Sequence, residues 1–334
     1  MTLHAPLSRW LATIALAAVG GTAAAQTKQV TIAHQDMLVP LRIVMESGEL
    51  EKATGYKISW RMFGGGGDVI RAMASGDVKI GEVGSAGITA AASQGQDIRL
   101  FWILDDIADA EALVARNGSN VNDIKGLAGK KVAVPFVSTA HYQLMVALKM
   151  AGVDPKGENG MNMRPPEIAA AWDRGDIDAA FVWDPALSKV KGSGKVIATS
   201  GSIGAKGHPT FDGVVVDAKW AAANEGFMVA LVKALAKADA EYRANAAKWT
   251  PESPQVKAVA KWTKAEAATV PDAMKNYRFP TIEEQASAKW LGGGAAKALK
   301  NTSEFLKEQG RVQQVLPSYD KYVTTTYVQK AMAK

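Results

Sequence analysis

The sequence has no cysteine and few histidines among its 334 residues. Without cysteine it cannot form disulfide bonds, thiolate metal sites, a cysteine nucleophile or an N-terminal lipid-modified cysteine. The histidines are His4, His34, His141 and His208, and no two have the spacing of a zinc-binding helix. Neither a Walker A loop nor a G-x-S-x-G nucleophile elbow occurs. We therefore expect no catalytic residues, no metal and no cofactor.

Concentrated positive charge is also missing. Lysine and arginine exceed aspartate and glutamate by 39 to 33, and they are scattered along the chain without interleaved aromatics. This pattern argues against a nucleic-acid-binding protein. The mildly basic surface would steer anionic ligands only modestly.

The chain has one conspicuous apolar run, and it lies at the N-terminus. Arg9 supplies a positive charge, residues 10–19 are apolar, and Ala23-Ala24-Ala25 forms an A-x-A cleavage site. This run is too short for a spanning helix, and no run of ~18 apolar residues follows it. The pattern predicts a signal peptide over residues 1–25, cleaved after Ala25, and an exported, soluble, periplasmic protein.

Short strands alternate with helices over residues 30–115, and the alternation begins again over residues 122–182. Residues 74–80 and 173–179 repeat the same turn, in which a helix ends at Gly-Asp and a strand follows. Such alternation predicts an α/β fold with mostly parallel sheets. Two similar halves predict two lobes with a ligand cleft between them, at the carboxyl ends of the strands.

Beyond Asp212 the composition changes to long helical segments. We predict lobe 1 over residues 26–112, lobe 2 over residues 113–212, and a return to lobe 1 over residues 213–334. The C-terminal part is expected to pack on the first lobe as helices over residues 221–242, 254–262, 282–291 and 295–309.

The stretch 132–144 predicts a strand, a short polar loop and the first turn of a helix. Ser138 or Thr139 is the expected N-cap. A helix start has unpaired N–H groups and partial positive charge, so it can hold an anion without a lysine. The alternative is that these hydroxyls only cap the helix.

Several polar or glycine residues follow predicted strands and could converge on a ligand. Hydroxyls and helix starts suit an anion, whereas Glu111, Asp184 and Asp212 suit a cation, and Trp183 could form a flat wall. Such a site would fit a small zwitterion. Each residue could instead be a cap, a turn residue or part of the core. The candidate ligand contacts are Gln35, Gly64, Gly65, Ser85, Ala86, Glu111, Ser138, Thr139, His141, Trp183, Asp184 and Asp212.

The sequence resembles the periplasmic taurine-binding proteins of ABC importers, within the wider group of aliphatic-sulfonate, nitrate and thiamine-precursor binding proteins. The similarity extends over essentially the whole mature chain. The segments that carry it are 111–116 (EALVAR), 129–142 (GKKVAVPFVSTAHY), 170–179 (AAWDRGDIDA), 182–187 (VWDPAL) and 209–212 (PTFD).

The resemblance implies a two-lobed, type II periplasmic binding fold that closes on taurine and delivers it to a membrane permease, with no catalysis. We expect the protein to be a monomer. By position in the family's motifs, Ser85, Ser138 and Thr139 match the side that holds the sulfonate. Glu111 and Asp212 match the side that holds the ammonium. Trp183 matches the wall and Gln35 the first loop.

The sequence departs from the family in its first lobe. Val39 replaces the aspartate of the family's Gln-Thr-x-x-Asp-Pro loop, Ala86-Gly87 replaces Ser-Pro, and a run of glycines occupies positions 64–67. The alternatives are therefore a binding protein for another small amine, sulfonate or zwitterion, and an enzyme resembling thiamine-pyrimidine synthases. A sensor subunit that binds the same ligand is a further alternative.

Overall fold

The computed structural model describes residues 1–2, 28–154, 159–308 and 310–333. Except for its first two residues, the predicted signal peptide lies outside these ranges, as does its cleavage site. Within them, no helix combines the length and the apolar character that crossing a membrane requires.

The described residues form two sheets of five strands each. In chain order the strands are β1 (Gln29–His34), β2 (Lys57–Met62), β3 (Ile80–Gly84), β4 (Ile98–Asp106), β5 (Glu111–Arg116), β6 (Lys131–Val134), β7 (Asn159–Asn162), β8 (Ala179–Trp183), β9 (Gly194–Thr199) and β10 (Phe211–Asp217).

Helices surround both sheets. They are α1 (Leu41–Ser47), α2 (Glu49–Thr54), α3 (Gly66–Ala74), α4 (Ser85–Ser93), α5 (Thr139–Met150), α6 (Pro165–Arg174), α7 (Ala186–Lys191), α8 (Ser200–Gly204), α9 (Ala218–Ala223), α10 (Glu225–Asn245), α11 (Pro254–Thr263), α12 (Val270–Met274), α13 (Ile282–Gln285), α14 (Gly294–Glu308) and α15 (Thr326–Met332).

Each sheet is mixed rather than mostly parallel, which corrects the prediction. The first has the order β2-β1-β3-β10-β4 and the second β7-β6-β8-β5-β9. β1 runs parallel to β2 and β3, whereas β10 is antiparallel to β3 and β4. β5 is likewise antiparallel to β8 and β9. The antiparallel strands β5 and β10 are the first strands after the chain crosses between lobes, and they enter their sheets from the opposite end.

The sheet assignments locate the two crossings between lobes. β5 belongs wholly to the second sheet and β10 wholly to the first, so the chain crosses over residues 107–110 and 205–210. The predicted lobe boundaries, after residues 112 and 212, lie inside these two strands. Glu111 and Asp212 therefore stand at the beginnings of the two crossing strands.

Local sequence accounts for several differences from the predicted elements. Gly48, which has a positive φ of 61°, separates α1 from α2. The segment between β5 and β6, where the predicted alternation begins again, contains only a 3₁₀ turn, Lys125–Leu127. The expected helix over residues 282–291 ends at Gln285. Strand β9, at the edge of its sheet, was not predicted.

The C-terminal helices pack on the first lobe, as predicted. α10 lies against α1, α2 and α15, and α14 packs on α4. The apolar core of this lobe includes Trp102 of β4, Leu235 of α10 and Leu299 of α14, all of which are buried. The second lobe has its own smaller cluster around Trp172 and Leu187, which are also buried.

An ion pair between Arg42 and Glu82 lies entirely inside the first lobe. Nη1 of Arg42 donates to Oε1 of Glu82 at 2.6 Å and Nη2 donates to Oε2 at 3.0 Å, and both side chains are fully buried. Arg42 also donates to the backbone carbonyls of Gln35 and Met37. The pair therefore fixes the loop that follows β1 against β3.

Replacing Arg42 with methionine should leave Glu82 buried without its partner. We expect Arg42→Met to lower the free energy of unfolding by about 3–5 kcal/mol in urea denaturation. Lys237→Met, which removes an exposed ion pair to Glu49, is the control and should change stability far less, because solvent screens that pair. Equal losses in the two variants would contradict the structural role of the buried pair.

Candidate ligand-binding site

A small cavity lies between the lobes, where the crossing strands begin. Its empty space, including the opening to solvent, is about 250 Å³. Both lobes contribute to its lining, as a cleft between lobes requires. The lining residues are Gln35, Met37, Gly66, Gly84 and Asp212 from the first lobe, and Glu111, Val137, Ser138, Thr139 and Trp183 from the second.

Three helices begin at this cavity. Gly66 is the first residue of α3, Gly84 immediately precedes α4, and Thr139 is the first residue of α5. Each helix start carries partial positive charge and N–H groups that the helix itself does not use. Together they make one side of the cavity suitable for an anion.

Gly84 allows the two lobes to approach closely. A Cβ atom at this position would lie 2.8 Å from Cγ2 of Thr139 and 3.0 Å from Oδ1 of Asp212. Real Cβ atoms do not approach a neighbouring carbon within 3.0 Å. Glycine is therefore required at position 84 for this arrangement of Thr139 and Asp212.

The loop before α5 is strained at Val137. This residue has a positive φ of 62°, although a β-branched side chain strongly disfavours that region. Such a conformation costs about 1–3 kcal/mol and persists where the surroundings enforce it, often at a ligand site. Val137 lines the cavity, so the strain lies where a ligand would be held.

The structure confirms that Ser138 caps α5. Its Oγ accepts a hydrogen bond from the backbone N–H of His141 at 3.1 Å and donates to the carbonyl of Pro135. Thr139 instead donates its hydroxyl hydrogen to the carboxylate of Glu111. Both hydroxyls face the cavity region while bonded within the protein.

Glu111, the first residue of β5, is a buried carboxyl that lies against the first turn of α5. It accepts hydrogen bonds from Thr139, from the hydroxyl of Ser200 at 2.9 Å and from the backbone N–H of Ala140. Burial raises the pKa of Glu111 to about 7, and these hydrogen bonds oppose the rise only in part. Glu111 therefore changes charge near neutral pH.

Asp212 lies opposite Gly84 in the pairing of β10 with β3. Burial raises its pKa well above the ordinary value, and the negative charges of Glu111 and Glu82 raise it further. Two buried carboxyls, Asp212 and Glu111, thus line the same cavity. A cationic ligand group would relieve their repulsion and desolvation.

The loop after β1 contributes two neighbouring residues with different roles. Gln35 lines the cavity, and it binds Glu82 through its backbone N–H at 2.7 Å and through Nε2 at 3.1 Å. Asp36 accepts a hydrogen bond from Nε1 of Trp183 at 2.7 Å, which links the two lobes. Burial raises the pKa of Asp36 to about 6.

Sequence reasoning did not select Asp36, although it is a polar residue directly after β1 and next to Gln35. It also missed four lining residues, namely Met37, Gly66, Gly84 and Val137. Gly66 had a detectable signal, because it lies in the run of glycines at positions 64–67. Met37 had none.

Two of the predicted glycines lie at the rim of the cleft. Gly64 faces Arg164 of the second lobe, so closely that a Cβ would lie 2.5 Å from its Cδ. Gly65 lines the same pocket as Gly64 and Arg164. Arg164 in turn binds Asp68 at 3.2 Å. These glycines border a contact between lobes, while Gly66 lines the cavity.

The other predicted residues of the first lobe lie behind Gly84. Ser85 and Ala86 are buried in the first turn of α4. Oγ of Ser85 accepts the backbone N–H of Phe211 at 3.5 Å. This bond joins α4 to the crossing strand β10.

His141 and Asp184 have identifiable structural partners in the second lobe. The buried ring of His141 stacks on Phe136 with centroids 4.5 Å apart, and burial lowers its pKa to about 4. The ring is therefore neutral at physiological pH. Asp184 accepts hydrogen bonds from the backbone N–H and the hydroxyl of Ser188, so its carboxylate is bonded to the first turn of α7.

Within the described ranges, no cluster of His, Cys, Asp and Glu side chains could hold a metal ion. The chemistry that the arrangement offers is recognition. Helix starts face one part of the cavity, buried carboxyls face another, and Trp183 supplies a flat wall.

Comparison with known proteins identifies the family of this chain. The profile of the NMT1-like family matches residues 23–252, which is more than half of the chain. The chain belongs to the NMT1-like family. This NMT1-like protein is also 37% identical over 305 residues to the taurine-binding periplasmic protein of Escherichia coli K12. That alignment covers 91% of this chain and 94% of the relative.

Solved structures confirm the two-lobed α/β fold of a periplasmic binding protein. The alkanesulfonate-binding protein from Xanthomonas axonopodis pv. citri, bound to MOPS, superposes with a TM-score of 0.72 at 20% identity, covering 91% of the NMT1-like chain and 99% of the other. The desulfurization enzyme DszB also superposes, with a TM-score of 0.63 at 14% identity over 91% and 99% of the two chains. The fold alone therefore does not decide between binding and catalysis.

The raised pKa of Glu111 predicts a pH-dependent stability. The unfolded chain gives up this proton near pH 4.3, whereas the folded protein holds it up to about pH 7. Stability from this group is therefore complete at low pH and is lost as the pH rises through 7. From pH 5 to pH 7.5, we expect Glu111→Gln to gain about 2 kcal/mol in free energy of unfolding relative to the wild type.

Urea denaturation at both pH values measures this difference. Glu304→Gln, which changes an exposed glutamate of α14, serves as the control and should follow the wild type. If Glu111→Gln also follows the wild type at both pH values, Glu111 does not titrate as its burial implies.

Proposed function

We propose that this protein is the solute-binding component of an ABC importer and that it captures taurine or a closely related alkanesulfonate. The observation that carries the proposal is the similarity to the taurine-binding relative over nearly the whole of both chains. The cavity supports it independently, because groups suited to an anion and groups suited to a cation line the same small space between the lobes.

The geometry suggests how such a zwitterion would lie. The sulfonate would face the starts of α3, α4 and α5, whose partial positive charges favour an anion. The ammonium would approach Glu111 and Asp212, with which it can form charge-assisted hydrogen bonds. The face of Trp183 would cover the short apolar linker between the two groups and can also attract the cation.

Both lobes supply contacts, so binding would stabilise their closed arrangement. The hydrogen bond between Trp183 and Asp36 joins the lobes next to the cavity. A ligand that holds Trp183 in place thereby favours this contact. Closure would present a distinct surface to the permease, which is the step an importer needs after capture in the periplasm.

The enzyme alternative has less support from the site. A thiamine-pyrimidine synthase would use a histidine in the cleft, but the ring of His141 is buried against Phe136. His34 is likewise buried, and its Nδ1 bonds to the carbonyl of Gln35. Neither ring is among the residues that line the cavity, so neither is placed to exchange a proton with a ligand there.

Isothermal titration calorimetry with taurine tests the ligand and Asp212 together. We expect the wild type to bind taurine, and Asp212→Asn to weaken that binding by about 1.5–3 kcal/mol, as loss of a hydrogen bond to a charged group does. Asp217→Asn is the matched control, because Asp217 lies on the same strand but caps α9 through the N–H of Trp220. Asparagine is an equally good cap.

The control variant should bind taurine as the wild type does. Titrations with other alkanesulfonates and with small amines then rank the ligand classes. Absence of binding to every sulfonate would refute the proposed ligand class. Equal affinities of Asp212→Asn and the wild type would show that the cation does not sit at Asp212.

Gly84→Ala tests the close approach of the lobes. The added methyl group would collide with Thr139 and press on Asp212, so we expect taurine affinity to fall by about tenfold or more, equivalent to about 1.4 kcal/mol. Gly226→Ala is the control, because a Cβ at position 226 meets no atom within 4 Å. Unfolding curves for both variants show whether the loss reflects closure or general instability. Unchanged affinity in Gly84→Ala would mean that ligand is held with the lobes further apart.

A further inference from the structure

A third carboxyl lies behind the two that line the cavity. Asp105, on β4, is the direct partner of Asp212 in the pairing of β4 with β10. Its side chain is fully buried. Neither of its carboxyl oxygens has a hydrogen-bond partner within the described part of the chain. An ionised carboxylate in this position would be extremely costly.

The hydroxyl of Tyr277 is buried among the same groups. It too lacks a hydrogen-bond partner among the residues that the structure describes. The charges of Asp105, Asp212, Asp184 and Glu111, in addition to burial, oppose its ionisation and raise its pKa. Tyr277 therefore remains a neutral donor beside the carboxyls.

The charges around Asp105 are mostly negative on every side. Asp212 faces it from β10, and Glu82 and Glu111 act on it from β3 and β5. The positive charge of Arg42 is already paired with Glu82 in a bidentate ion pair. Asp106, the next residue on β4, also raises the pKa of Asp105 through its negative charge, and its carboxylate lies 3.7 Å from Nζ of Lys289.

Burial and the charge of Asp212 raise the pKa of Asp105 well above its ordinary value, and burial also raises that of Asp212. Two buried carboxyls side by side do not both ionise, because one retains a proton that the pair shares. A cation placed at Asp212 changes that balance, since it stabilises the charged form of both groups.

Resting on the proposed function, we propose that Asp105 is a positioning residue that shares one proton with Asp212 and that the ammonium of a bound ligand displaces this proton. The proton passes to solvent, and the cation takes its place beside the paired carboxylates. The site thereby favours ligands that carry a positive charge. An alkanesulfonate without an amine would leave the proton in place and would gain nothing from the pair.

Calorimetry in two buffers of different ionisation enthalpy measures protons released on binding. At about pH 8 most of the proton of Glu111 is already lost, so release there reports on the Asp105–Asp212 pair. We expect wild-type protein to release close to one proton per taurine, with affinity that rises up to about tenfold per pH unit. Ethanesulfonate, which lacks the amine, should release none or fail to bind.

Asp105→Asn and Asp106→Asn form a matched pair of variants on neighbouring positions of β4. Asp105→Asn keeps the shape but gives Asp212 an amide donor in place of a carboxyl, which favours the charged form of Asp212. Proton release at about pH 8 should therefore fall well below that of the wild type, and affinity should depend less on pH. Asp106→Asn removes a neighbouring charge but neither carboxyl of the pair, so it should still release a proton when taurine binds. A merely structural role for Asp105 would change affinity without changing proton release.

The results separate this inference from the proposed function. Taurine binding without proton release in the wild type would overturn the inference and leave the function intact. Equal release with ethanesulfonate, or undiminished release in Asp105→Asn, would also overturn it. Should Asp105→Asn fail to fold, the wild-type comparison of taurine with ethanesulfonate decides. No binding of taurine at all would overturn the proposed function and the inference with it.

Discussion

The buried ion pair of Arg42 and Glu82 determines how the first lobe presents its half of the site. Arg42 holds the carbonyls of Gln35 and Met37, and Glu82 holds the N–H of Gln35. The loop after β1 is therefore tied to β3 at several points. Asp36 lies in this loop, so the same ties place its carboxylate where it accepts the hydrogen bond from Trp183 of the other lobe. One internal charge pair thus positions both a wall of the cavity and a contact between lobes.

Sequence could predict those features that follow from local pattern. The cap at Ser138 was predictable because a hydroxyl residue preceded an apolar periodicity, and Glu111 and Asp212 stood out as acidic residues beside apolar runs. Strand direction was not predictable, because alternation indicates a strand without indicating which way it enters its sheet. The antiparallel entry of β5 and β10 therefore emerged only in the structure.

Asp105 shows why the deeper part of the site could not be predicted. It lies near the end of β4 and belongs to no motif that sequence analysis singled out. Its importance arises from cross-strand pairing with Asp212, more than one hundred residues away in sequence. Such pairing depends on register, which single-sequence patterns do not determine. The same holds for Tyr277, whose hydroxyl reaches the cluster from a loop with no distinguishing motif.

The first-lobe departures from the taurine-binding pattern fall mainly where the lobes meet. Gly64 makes room for Arg164, and Gly66 and Gly67 lie next to the strained Val137. Ala86 is buried in α4 behind Gly84, so the hydroxyl missing there is not replaced by a cavity contact. These substitutions affect the contacts between the lobes and lie beside the strained backbone at Val137. The buried carboxyls Glu111 and Asp212, to which we assign the ligand's amine, are untouched by them. On the proposed function, the departures therefore bear on the contact between the lobes and leave the proposed cation side of the site in place.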